Sequence, residues 1–316
     1  MFTRRSGLLL ALSAVLFGGT FVAAKVGLAH LPPLFFVAVR FDIGAVVLGV
    51  FAASKLSRSE LRPQTAGDVL GILATGVLVI GLTNALLFVG QQYVTSGVAA
   101  VVFSLNPILT PVFAALLLSE GRLSAKGAAG TVLGLVGVGL VANPDPSALA
   151  AGGLGVPLLF CAAVTSALGA VVIRRAEATL SSTARTVWGV PIAAVLSHAL
   201  SLSAGESVTD LTLPPAALAA LLYVGVCSGA VAYLAYFALI DETGASQANL
   251  LFYFVPLVSA VAGWALLGET ISPLSLAGFA VIFVGFLLVS GVPSNVSDPL
   301  KRAVRNWGVR NGSWDR

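Results

Sequence analysis

Charge is what this chain has least of. Asp, Glu, Lys and Arg make up only 9% of its 316 residues, against roughly 25% in an average soluble domain. That excludes an ordinary water-soluble globule. Cysteine is confined to Cys161 and Cys227, both inside apolar runs with no histidine or second cysteine nearby, so the two read as small buried hydrophobes rather than a disulfide or a metal site. Histidine occurs only as His30 and His198, and the chain has no glycine-rich phosphate loop, nucleophile elbow or paired metal-ligand spacing. A catalytic constellation, a metal, a cofactor and energy from nucleotide hydrolysis are therefore not expected.

What fills the space is hydrocarbon. Hydrophobic residues make up 58% of the chain and the mean hydropathy is +1.00. Apolar runs of about 20 residues recur along nearly the whole length, each long enough to cross a core of about 30 Å. Lipid offers no hydrogen-bond partners, so such runs must be helices, and the alternating pattern of a membrane barrel is missing. The runs predict ten spans, at 7–29, 33–53, 67–91, 96–118, 127–141, 154–173, 183–202, 214–240, 246–267 and 273–291. The first begins behind Arg4 and Arg5 like a secretory signal but continues without a convincing cleavage site, and so reads as a retained span. The connectors are short and carry breakers such as Asn143-Pro-Asp-Pro and Leu31-Pro-Pro, as suits antiparallel neighbours.

The cations partition by side. If the spans alternate, fifteen of the seventeen lysines and arginines fall on one face and none on the other, while Lys25 and Arg40 lie within spans. The positive-inside rule then places both termini in the cytoplasm of a multi-pass protein of the cell membrane. The positive excess belongs to this topology, and no nucleic-acid partner is implied.

The chain also repeats itself. The segment SLNPILTPVFAALLLSEGRLS begins at Ser104 and YFVPLVSAVAGWALLGETIS at Tyr253; Pro107 and Pro256, and Glu120 and Glu269, stand 149 residues apart. A repeat at about half the length makes two units of five spans, 1–145 and 146–292, followed by a basic tail, 293–316. Five is odd, so the second unit enters the membrane opposite to the first. The fold class expected is all-α and integral to the membrane: ten transmembrane helices as two inverted five-helix repeats, the symmetry of alternating access.

Pro107, Pro111 and Pro256 each remove a backbone donor inside a span and should bend helices 4 and 9. Asn106 and Tyr253 beside them need partners at that depth. Lys25 and Arg40 lie roughly 6 to 11 Å from the external face; they either attract an anionic group such as a carboxylate, or snorkel and pair structurally. Asp42, two residues from Arg40 but on another side of the helix, is either a proton-coupling carboxylate or one arm of an interhelical salt bridge. Asn84 in helix 3, and Tyr233 and Tyr236 three residues apart in helix 8, suit an amphipathic lining, whereas His198 suits the external interface. Gly130 and Gly134 favour close helix packing, within one molecule or between two, so a monomer and a homodimer both remain open. Glu120 and Glu269 read as rim residues that cap or pair.

The chain resembles the EamA-type transporters of the drug/metabolite transporter superfamily. The likeness covers 7–291 and rests on FGGTFVAAKVGL from Phe17, PPLFFVAVRF from Pro32, the proline-and-glutamate segment that follows Ala85, and its counterpart after Ser228. It implies ten helices as two inverted repeats, a cavity built from helices 1 to 4 and 6 to 9 with helices 5 and 10 peripheral, and export or exchange of small metabolites. Lys25 and Arg40 occupy the family's basic positions, and Pro107, Glu120, Pro256 and Glu269 its repeat signatures. Phe17 stands where many members have tryptophan, and Asp42 is not a usual family residue. The function expected is a secondary transporter of amino acids or related amphipathic compounds working by alternating access. The alternative is a multi-span membrane sensor or structural protein without turnover.

Overall fold

The computed structural model describes residues 3–118, 125–142, 153–209, 211, 213–243, 248 and 251–290, and every element among them is a helix. The long ones are α1 (Arg4–Leu28), α2 (Pro33–Lys55), α3 (Ala66–Gln91), α4 (Ser96–Leu117), α5 (Ala125–Ala142), α6 (Gly155–Arg175), α7 (Ser182–Ser203), α8 (Pro215–Leu222, Tyr223–Val231 and Ala232–Thr243 end to end), α9 (Leu251–Leu267) and α10 (Pro273–Ser290). Seven stretches among the described residues are long and apolar enough to cross a membrane, namely α1 to α4, α6, α7 and the Pro215–Tyr236 part of α8; shorter apolar helices lie in α5, α9 and α10.

Local chemistry sets the helix ends. Thr3, Thr95 and Ser181 cap α1, α4 and α7 with side-chain oxygens that accept from backbone N–H groups three residues on. Pro33 and Pro215 open α2 and α8, where a missing donor costs nothing. Gly268 follows α9 with φ +64°, a left-handed turn that glycine enters without strain.

Two helices change pitch in mid-course. Ala74–Leu82 of α3 and Tyr223–Val231 of α8 are π-helical, and each π segment begins and ends 149 residues from its counterpart, the same spacing that separates the paired prolines. The π ladder is wider than the α ladder and is uncommon outside functional segments. Close packing accompanies it: a Cβ on Gly76 would meet the Gly189 carbonyl at 2.8 Å, and one on Gly225 would meet the Ile43 side chain at 2.8 Å and the Arg40 carbonyl at 3.3 Å. Gly189 and Arg40 are themselves 149 residues apart.

The packing obeys the same exchange. α2 lies on α7 and α5 on α10; α1 lies on α8 and α9, and its counterpart α6 lies on α3 and α4. These contacts exchange with one another under the repeat relation, as a two-fold axis would have them. Carboxylates tie the faces together across the repeats. On the face where the chain starts, Thr3 donates to Glu242 at 2.6 Å, and Asp68 accepts from the Thr179 and Leu180 N–H groups at 2.7 and 2.9 Å, ahead of α7. On the opposite face Glu206 accepts from the Leu34 and Phe35 N–H groups at 3.0 and 2.7 Å, and both Glu269 oxygens lie 3.0 Å from the Ser96 nitrogen. Gly155, the first residue of α6, abuts Tyr93 and Val94 on that opposite face. Hence α6 starts on the face away from the start of α1. Phe36, Phe88, Leu105, Ile108 and Leu159 are fully buried at the centre.

Candidate functional site

Among the described residues the interior holds a buried guanidinium that packing alone does not explain. Arg40, about 10 Å along α2 from Pro33 at roughly 1.5 Å per residue, is 4% exposed, and its Nε and Nη1 are buried with no hydrogen-bond partner. Its guanidinium lies 4.9 Å from the Phe41 ring centroid and 5.0 Å from that of Phe88 on α3. Such ring contacts contribute about 0.5–2 kcal/mol each, whereas an unpaired buried ion costs several kcal/mol. The rings alone leave the arginine under-compensated.

Tyr233 of α8 is the electrostatic neighbour of Arg40. It also stands edge-on to Phe17 of α1 at 5.1 Å, with Tyr236 edge-on to the same ring at 6.3 Å. Asn84 is one turn before Phe88 on α3, and its side-chain amide donates to the Ile80 carbonyl at 2.7 Å. Asn84 and Tyr233 are repeat counterparts, 149 residues apart, and each stands two residues past the end of a π segment. Helices α1, α2, α3 and α8 therefore converge on a guanidinium beside an aromatic wall.

The other expected residues are placed elsewhere. Lys25 lies at the rim, where its ammonium donates to the carbonyls of Gln91, Gln92 and Val94 at 3.1, 3.3 and 2.7 Å, closing the end of α3. Asn106 forms a separate polar group between α4 and α6: its amide donates to the Ser166 hydroxyl, and the Thr110 hydroxyl donates to its backbone and side-chain oxygens. Asp42 points away from Arg40 and meets His198 of α7, Oδ2 to Nε2 at 2.8 Å, with the two side chains 50% and 42% exposed on the outer flank. Glu269 is the cap of α4 described above, reinforced by the Ser96 hydroxyl at 3.1 Å. Pro107 opens the second half of α4, which is interrupted between Phe103 and Asn106, with Pro111 inside that half; Pro256 lies within continuous α9. Glu120 and the side chain of Tyr253 lie outside the described residues. Among the described residues no three His, Cys, Asp or Glu side chains converge to hold a metal.

Sequence reasoning passed over four features. Gln91 is fully buried and donates to the Phe21 carbonyl. Asp68 had a local signal, since Thr65 lies three residues before it in a capping box; Glu206 had none, because its partners at Leu34 and Phe35 are far away in the chain. The π segments had only the repeat spacing itself.

Comparison with known proteins agrees with this architecture. YvbV, an uncharacterized transporter of Bacillus subtilis (strain 168), is 28% identical over 293 residues, spanning 90% of this chain and 92% of that one. A probable amino-acid metabolite efflux pump of Salmonella typhimurium (strain LT2) is 27% identical over 294 residues, 90% of this chain and 95% of that one. A crystal structure with 18% identity superposes at a TM-score of 0.60 over 96% of this chain and 99% of that one, a likeness of fold. The model of the EamA-like transporter family matches twice, over 5–143 and 153–291. With both repeats matched over most of its length, this chain belongs to the EamA-like transporter family.

Proposed function

We propose that this membrane transporter is a secondary carrier that exports or exchanges small metabolites, amino acids or the amphipathic compounds related to them, by alternating access. The observation that carries the reading is the mirrored packing of two repeats that start on opposite faces, with Arg40, Tyr233 and Asn84 where they meet. Ten spans, units at 1–145 and 146–292 and both termini in the cytoplasm complete it. Inverted halves can exchange conformations, so that an interior site opens first to one side and then to the other.

In this reading Arg40, Asn84, Tyr233 and Tyr236 contact the substrate, and Asn106 and Tyr253 line the arms bent at Pro107, Pro111 and Pro256. Lys25, Glu120 and Glu269 work at the rims, and Asp42 with His198 is the candidate for proton coupling. The test is a substrate panel in proteoliposomes containing the purified full chain, with and without a proton gradient. The expected result is counterflow of at least one amino acid or related amphipathic acid. If no amino acid, organic acid, nucleoside, sugar or cationic drug moves in either direction, the transporter reading fails.

A further inference from the structure

Resting on the transporter reading, we infer that the compound carried is an organic anion: a carboxylate on a flat apolar body, without an ammonium group. Arg40 presents two buried, unpartnered N–H groups on a planar fork. That geometry matches a carboxylate, which can take two parallel hydrogen bonds from one guanidinium. The wall beside it is aromatic, with the Phe88 ring against the guanidinium and Tyr233 edge-on to Phe17. A ring or branched chain attached to the carboxylate would rest there without losing hydrogen bonds.

What separates an anion from a zwitterion is where the acids lie. Asp42 is engaged by His198 on the outer flank. Asp68 is held by backbone donors at Gln64, Thr179 and Leu180. Glu206 and Glu269 cap α2 and α4 on the opposite face, Glu60 closes its own turn, and Glu242 meets Thr3 on the starting face. Among the described residues no carboxylate makes an ion pair with Arg40 or stands against the aromatic wall. An amino acid bound through its carboxylate would therefore bring its ammonium against ring faces and the neutral oxygens of Asn84, Tyr233 and Tyr236, with no carboxylate among the described residues to pair with it. Among the described residues the charge beside the aromatic wall is the Arg40 guanidinium alone, and its complement is a single negative charge.

A matched series reads this directly: 3-phenyllactate, phenylalanine and phenylalaninol share one ring and differ in net charge, negative, zero and positive. In counterflow with the full-length protein in proteoliposomes, 3-phenyllactate should compete at a concentration lower than phenylalanine by about tenfold or more, with phenylalaninol weakest. Arg40→Gln should remove that preference and Arg40→Lys should keep part of it. Arg40→Met controls for folding: exchanging an unpaired buried charge for an apolar side chain should raise the melting temperature while abolishing the rise that 3-phenyllactate gives the unmodified protein. Phenylalanine carried as well as or better than 3-phenyllactate overturns the anion inference and leaves the transporter reading intact. A melting temperature lowered by Arg40→Met, with the 3-phenyllactate response retained, also overturns it, because Arg40 would then be a packing residue. No response to any of the three overturns the inference, and the broader panel then decides the transporter reading separately.

Discussion

Lys25 and Arg40 were indistinguishable as letters, two cations inside apolar runs, and their fates are opposite. Lys25 reaches a loop at the rim and satisfies three carbonyls; Arg40 is held where its Nε and Nη1 find no acceptor. The difference is which neighbour lies across from each, and sequence position does not encode that. Lys25→Met should accordingly lower stability by about 1–3 kcal/mol, the cost of leaving carbonyls without their donor, with KM for substrate unchanged; thermal melting in detergent and counterflow together check it. The Asp42–His198 pair is a bond between α2 and α7 that a single letter could not announce. Asp42→Asn is the direct test of coupling. Loss of the gradient dependence is the expected result, and transport that stays intact and gradient-dependent removes Asp42 from that role.

Helices α3 and α8 carry the clearest imprint of the repeat at the level of elements. Both π segments sit just before the residues that face the interior, Asn84 and Tyr233, and a π segment sets the angle at which the following turns present their side chains. Each residue advances an α-helix by about 100°, so inserting one alanine after Leu82 should turn Phe88 away from Arg40, and Asn84 with it. The expected result is transport at background level with helix content retained, measured by counterflow and circular dichroism. The caps make a second case. Because Glu269 closes the start of α4 from the other repeat, Glu269→Ala should cost about 0.5–2 kcal/mol, the range for losing an N-cap. Thermal melting measures it, and an unchanged melting temperature would remove the cap from the stability of the fold.

Scaled up to the whole molecule, cross-ties sort the connections onto two faces. The turn after α2 belongs with the start of the chain, and the turn after α7 with the opposite face, where Glu206 holds α2. In a variant with Cys161 and Cys227 replaced by alanine, Ser207→Cys should react with a membrane-impermeant thiol reagent on intact cells. Ser59→Cys should react only after permeabilisation. Equal labelling of both sites would contradict the proposed orientation.

Composition, periodicity and spacing determined the solvent, the secondary structure and the duplication by themselves. A chain with 9% charged residues and apolar runs of span length has to fold as helices in lipid, and a repeat spacing is visible as letters. Caps whose partners lie within one turn, as at Thr3 and Thr95, depend on local sequence alone. Only the tertiary structure decided which cation is satisfied, which acid faces outward and where the π segments fall. Those outcomes depend on distances between residues far apart in the chain, such as Arg40 with Phe88 and Asp42 with His198. Helical periodicity marks which side of a helix is apolar, but the partner that meets a polar group on that side is set by how the two repeats pack.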